Sequence, residues 1–139
     1  MIRFVLDASV SLRWFLDNPV PAYALKVRKA LTSGSRALVP ALWHLEMANA
    51  FVVAERRRIL SAGDTDLFLD QVELLLGQSI ESESVLLSLR NAVSLARPFG
   101  LTSYDSACLE TARRNKLPLA TLDRSLQFAA AKAGVSLFR

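Results

Sequence analysis

Ile2-Arg3-Phe4-Val5-Leu6-Asp7 is a short apolar run, interrupted once by Arg3 and closed by an acid. Leu119-Ala120-Thr121-Leu122-Asp123 repeats the arrangement near the other end of the chain. If each run is a buried strand, each acid stands at a strand's carboxyl end, where open α/β sheets place their ligands. Glu46 and Asp105 also fall in hydrophobic surroundings and would come from helices beside that edge. Four carboxylates far apart in sequence but converging in this way predict a metal site assembled by folding.

The intervening sequence supplies those helices. Strand 2–6 is followed by a helix over 8–16, for which Asp7 is a candidate N-cap. Asn18-Pro19-Val20-Pro21 breaks the chain, and helical spacing resumes over 22–31 until Ser33-Gly34-Ser35. A strand at 37–39 leads through Pro40 into a helix over 41–58, which ends in Arg56-Arg57-Arg58. The next helix, 65–76, places Phe68, Leu69, Val72, Leu75 and Leu76 on one face, with Gly77 as the residue that stops it. A strand at 79–81 follows. Ser82 is the candidate cap of a helix over 85–97, where Leu86, Leu89, Val93 and Ala96 recur before Pro98 and Gly100. A helix over 103–115, a strand at 119–121 after Pro118, a helix over 124–133 before Gly134 and a strand at 135–138 complete the order. Alternating strands and helices imply right-handed crossovers and a parallel sheet covered on both faces. No repeat, linker or low-complexity segment interrupts the pattern.

The 139 residues suit one domain with a single core. Hydrophobic residues make up 52% of the chain, yet no run approaches the roughly 20 apolar residues that span a bilayer. The apolar segment at the N-terminus is too short for a secretory signal, so a cytoplasmic protein is the default expectation. With Cys108 as the only cysteine and His44 as the only histidine, an internal disulfide is excluded and a usual structural zinc site lacks its ligands. Any metal would be held by oxygen, which suits Mg²⁺ or Mn²⁺. Seventeen Lys and Arg stand against thirteen Asp and Glu, a formal charge of +4. Setting the four acids aside leaves nine acids against seventeen bases, a surplus of eight around an acidic hole. Such a surface attracts a polyanion, although many small soluble proteins are also basic.

Each acid has an ordinary explanation. Asp7 and Asp123 precede helices and either could be an N-cap, whereas Asp105 could be a first-turn acid behind Thr102 or Ser103. Glu46 is harder to dismiss, because residues 41–54 are apolar nearly all the way round. It shares a face with Asn49, three residues on, while His44 points elsewhere. The alternative is a solvent-facing stripe one residue wide. An ionised Glu inside such a helix costs several kcal/mol unless a cation or several donors compensate. Clustered carboxylates repel in the same way, which again calls for a cation. Ser9 lies two residues after Asp7 and Thr121 two before Asp123, where a hydroxyl can orient a carboxylate or a metal-bound water. Helix capping and strand hydroxyls are the other readings of these two residues.

At these residues the chain resembles the PIN-domain ribonucleases, and among them the VapC-type toxins of bacterial and archaeal toxin–antitoxin pairs. The resemblance covers nearly the whole length. It is carried by Val5-Leu6-Asp7-Ala8-Ser9, Pro40 with Glu46 and Asn49, Leu101-Thr102-x-Tyr104-Asp105, and the stretch from Leu117-Pro118-Leu119 through Asp123-Arg124-Ser125-Leu126. The last two blocks are the most specific. Members often carry Ala after the third acid, where this chain has Ser106. The resemblance implies a PIN-like three-layer α/β fold with a central parallel sheet of order 3-2-1-4-5. It also implies metal ligation by Asp7, Glu46, Asp105 and Asp123, with Ser9, Asn49 and Thr121 in support.

The implied reaction is Mg²⁺- or Mn²⁺-dependent hydrolysis of RNA to 5′-phosphate and 3′-hydroxyl ends. Candidate phosphate contacts are Arg13, Arg56, Arg57, Arg97, Arg113, Arg114 and Arg124, each of which by default is a solvated surface charge. The implied partners are the RNA substrate, a cognate antitoxin protein and a second copy of the chain in a homodimer, with no membrane. The apolar face of helix 65–76 is a candidate partner surface, or equally an intramolecular core face. Other readings stay open. A haloacid-dehalogenase-like phosphatase needs an Asp where this chain has Ser9. A receiver-type phosphoacceptor domain needs a mid-chain Asp and a late Lys that are not evident. A catalytically inactive PIN-like interaction module needs neither.

Overall fold

The computed structural model describes residues 2–85 and 87–139. Strand β1 (Arg3–Leu6) lies at the centre of a parallel sheet, with its Phe4, Val5 and Leu6 side chains wholly buried. It pairs on one side with β2 (Arg36–Val39), Phe4 opposite Ala37, and on the other with β4 (Leu119–Ala120), Leu6 opposite Ala120. Strand β3 (Ile80–Ser82) joins the far edge of β2 in parallel register, and the sheet order is β3-β2-β1-β4. These are the first four positions of the expected order. The expected fifth strand at 135–138 is reduced to one parallel bridge, Leu119 to Leu137. Leu119 N–H donates to Ser136 O at 2.9 Å and Phe138 N–H to Leu119 O at 2.9 Å. Two residues of β4 leave few backbone groups for a further ladder.

Because side chains alternate along a strand, β1 faces two cores at once. Phe4 and Leu6 pack with Val39, Trp43, Met47 and Phe51 on one side. Val5 packs with Leu109, Leu119 and Leu126 on the other. Helices α1 (Ala8–Ser11), α2 (Arg13–Leu16), α3 (Ala22–Thr32), α4 (Leu42–Arg56) and α5 (Ala62–Gln78) carry the first core, and α7 (Ser103–Asn115) with α8 (Arg124–Lys132) the second. Each wholly buried aromatic or aliphatic side chain contributes about 1.5–3 kcal/mol. The result is a sheet between two helical layers, which is why both strands that end in acids read as apolar almost throughout.

Several boundaries differ from the sequence expectation. The helix expected over 8–16 divides at Leu12 into α1 and α2. Helix α5 starts three residues before 65, at Ala62 behind the N-cap Ser61, where a reciprocal pair closes its first turn: Asp64 N–H donates to Ser61 Oγ at 3.0 Å and Ser61 N–H to Asp64 Oδ2 at 3.0 Å. Gly77 is not the stop residue; it lies inside α5. Phe68, Leu75 and Leu76 pack against the core with buried Val72, so most of that helix face is intramolecular, and Leu69 remains 39% exposed. Ser82 caps no helix, and its Oγ lies 2.6 Å from His44 Nε2. The helix expected over 85–97 is α6 (Leu89–Ala96), whose first turn is capped by Ser88 through Asn91 N–H at 3.2 Å. A 3₁₀ turn over Arg97–Phe99 follows, and Leu86 lies outside the described residues.

Candidate metal centre

Asp7 follows the last residue of β1, and its backbone N–H donates to Ala120 O at 3.0 Å, which ties it to the end of β4. Its carboxylate is buried, 4% exposed. Oδ2 accepts from Ser9 Oγ at 2.5 Å and from Thr121 Oγ1 at 2.8 Å. Each hydroxyl is itself oriented by a backbone donor, Leu122 N–H to Ser9 Oγ at 3.0 Å and Asp123 N–H to Thr121 Oγ1 at 3.1 Å. Two short relays therefore run from the β4–α8 turn to one oxygen of Asp7. Capping does not account for Asp7, since its side chain makes no cap bond to α1.

The other oxygen, Oδ1, faces Cys108, whose Sγ donates at 3.5 Å. Cys108 is wholly buried, and burial first, then the charges of Asp7, Glu46 and Asp105, push its thiol well above the usual range. It therefore stays a neutral donor. No motif pointed to this residue. Its signal was the three-residue spacing from Asp105, which puts both on one side of α7.

Glu46 lies in the second turn of α4 and Asp105 in the first turn of α7. Desolvation, then the Asp7 and Asp105 charges, raise Glu46 from 4.5 to about 7. Asp105 is raised by desolvation, then by Asp123 and Asp7, and is partly offset by the Thr102 cap. The four acids thus form one electrostatic group at the carboxyl edge of the sheet. Asp123 also caps α8, accepting from Leu126 N–H at 3.2 Å, so its ordinary reading and its place in the group coexist. Among the described residues no three His, Cys, Asp or Glu side chains come close enough to hold a metal ion. The donor set suits a hard dication in its chemistry, being all carboxylate, and positive charge there would relieve the repulsion that adds to desolvation in raising Glu46 and Asp105.

Asn49, exposed, lines a cleft of about 460 Å³ together with Glu46. Of the arginines, Arg124 follows Asp123 directly and is exposed. Arg13 pairs with Asp17 at 3.0 Å, and Arg114 pairs with Glu83 and lies 3.8 Å from Glu110. Arg56 and Arg57 lie about 15 Å further along the α4 axis than Glu46, and Arg113 about 12 Å further along α7 than Asp105, at a rise of about 1.5 Å per residue. These three are not brought to the acids. Arg97 lies in the 3₁₀ turn and is exposed. No helix among the described residues is long and apolar enough to cross a membrane.

No protein-family model matches the chain, and no curated protein matches it in sequence. Solved structures match it in fold. FitAcB from Neisseria gonorrhoeae superposes with a TM-score of 0.68 at 18% identity, covering 98% of this chain and 96% of that one. PAE2754 from Pyrobaculum aerophilum superposes with a TM-score of 0.65 at 19% identity, covering 92% and 84%. The PilT N-terminus domain protein SSO1118 from Sulfolobus solfataricus P2, at a TM-score of 0.46 and 12% identity, is too distant to carry an argument. At such identities the likeness is one of architecture, and that architecture is PIN-like.

Proposed function

We propose that the chain is a metal-dependent endoribonuclease of the VapC type, the toxin of a toxin–antitoxin pair. The observation that carries this reading is the electrostatic grouping of Asp7, Glu46, Asp105 and Asp123 at the sheet edge, with Glu46 raised to about 7. Asp7, Glu46 and Asp105 would hold the main Mg²⁺ or Mn²⁺, and Asp123 a second or weaker one. The chemistry a dication would supply there is positive charge for the scissile phosphate and the leaving 3′ oxygen, and a lowered pKa for a water. Ser9 and Thr121 hold Asp7 Oδ2 by hydrogen bonds, which leaves Oδ1 as the oxygen turned toward Cys108 and available to exchange that weak contact for a ligand. Asp7 makes the most rigid of the four ligands because strand and relays both fix it. Arg124, beside Asp123, is the arginine best placed to meet a phosphate.

The active form is a homodimer, restrained by an antitoxin segment whose basic side chain competes with metal for the acids. Exposed Leu67 and Leu74 on α5 and Val52 and Val53 on α4 supply apolar surface for association. Light scattering at micromolar concentration checks the dimer, and a monomer active on RNA removes it.

One observation favours a second reading, a PIN-like interaction module without catalysis: among the described residues no three acids stand at ligating distance. RNA cleavage assayed with Mn²⁺ and with chelator decides between them, using Asp7→Asn as control. Asn preserves the side-chain shape and an oxygen acceptor for Ser9 and Thr121, so the variant should fold and melt no lower than the parent in chelator yet cleave nothing. Full activity in Asp7→Asn removes the metal centre as proposed.

A further inference from the structure

The cleft that Glu46 shares with Asn49 is not filled by the metal chemistry just described. Its walls are aliphatic, formed by Leu12, Leu42, Leu45 and Ala50, and its remaining side is Tyr104. Glu46 is the only ionisable carboxylate or base on the lining, so no Lys or Arg there offers a phosphate a partner. Leu45 and Tyr104 are 69% and 56% exposed, so both are open to an occupant of the cleft. Tyr104 and Leu42 also line a second cleft of about 230 Å³. Helix α7 fixes the backbone that carries the ring, since Tyr104 sits in a first turn capped by Thr102.

A neutral, flat solute with apolar faces and a polar edge matches this lining. Asn49 brings both a donor and an acceptor in one amide. Tyr104 precedes Asp105 in the chain, and Glu46 belongs to both cleft and acid group, so an occupant lies next to whatever the acids hold. We infer that the cleft is a nucleobase subsite, in which Tyr104 stacks on one unpaired RNA base beside the scissile phosphate and Asn49 bonds to the base edge. This rests on the ribonuclease reading of the acids and narrows it to single-stranded RNA, because a base held in a duplex has both faces covered. Stacking on one aromatic ring is sequence-tolerant, so the cleft positions any base and Asn49 grades among them.

The test is a fluorescence titration, in chelator, of a single-stranded oligoribonucleotide carrying 2-aminopurine. Wild type, Tyr104→Phe and Tyr104→Trp should quench the probe with similar affinity, while Tyr104→Ala binds about tenfold or more weakly, the size expected of one lost base stack. In the Mn²⁺ cleavage assay, removing the base next to the scissile phosphate should raise KM for wild type and leave KM for Tyr104→Ala unchanged. Equal binding by wild type and Tyr104→Ala, or no binding by wild type, overturns the subsite and leaves the cleft to an apolar side chain of a protein partner. Cleavage with no Tyr104 effect sinks the subsite alone. A Tyr104-dependent stack without cleavage under any metal sinks the nuclease reading alone.

Discussion

At the residue scale the most constrained atom of the centre is Asp7 Oδ2, which receives two hydroxyls that are each held by a backbone N–H. Thr121→Val keeps the branched shape but removes one hydroxyl, leaving a buried carboxylate short of a donor and the Asp123 N–H short of an acceptor. A loss of about 1–3 kcal/mol is expected from such unmade bonds, with Thr121→Ser close to the parent, as read by urea unfolding. Glu46 gives a pH dependence. Its carboxyl is raised from 4.5 to about 7 in the folded protein, so between those values the unfolded chain has released a proton that the native state retains. Stability of the metal-free protein therefore falls as pH rises across that window and levels off above it. Melting in chelator from pH 4.5 to pH 8 should show this fall, and Glu46→Gln should flatten it. An identical slope in both proteins would mean that Glu46 is not the buried, crowded acid described.

At the scale of the element, the boundaries that moved are those decided by capping rather than by apolar spacing. The stripe of α5 begins at Phe68, but the helix begins behind Ser61, because Ser61 and Asp64 satisfy each other's orphan donors before any apolar contact is made. Gly77 shows the reverse error, a glycine that reads as a stop yet lies in the last turn of the helix. A Cβ added there meets nothing within 4 Å, and the backbone is not in the left-handed region. Gly77→Ala should therefore stabilise the protein by about 0.5–1 kcal/mol, since Gly carries the larger entropy of the unfolded chain. A stop residue would have predicted destabilisation, so thermal melting of this variant distinguishes the two descriptions.

For the whole molecule, the four acids store repulsion that the fold withstands and a cation would relieve. Millimolar Mg²⁺ or Mn²⁺ should raise the melting temperature, Mn²⁺ by more at equal concentration, and Glu46→Gln should start higher in chelator and gain less. The same increment in parent and variant would remove Glu46 from the ligand set. The two cores set how that strain is borne. Residues of β1 face both, so the end of β1 that carries Asp7 is held by the packing of Phe4 and Leu6 on one side and Val5 on the other.

Local pattern was enough for the parallel α/β plan and the central strand, because apolar runs of strand length are patterns that burial enforces. It also named Asp7, Glu46, Asp105 and Asp123, whose common feature, an acid in apolar surroundings, is visible one residue at a time. Only the tertiary structure decided how they stand. The relays through Ser9 and Thr121 join residues more than a hundred positions apart, and the Cys108 thiol reaches Asp7 through a helix packed on the far core. The pairing of Arg114 with Glu83 likewise follows from docking, as does the shortfall of the last strand to a single bridge. Contacts of that kind depend on which surfaces meet after the hydrophobic layers have closed, and no local pattern encodes them.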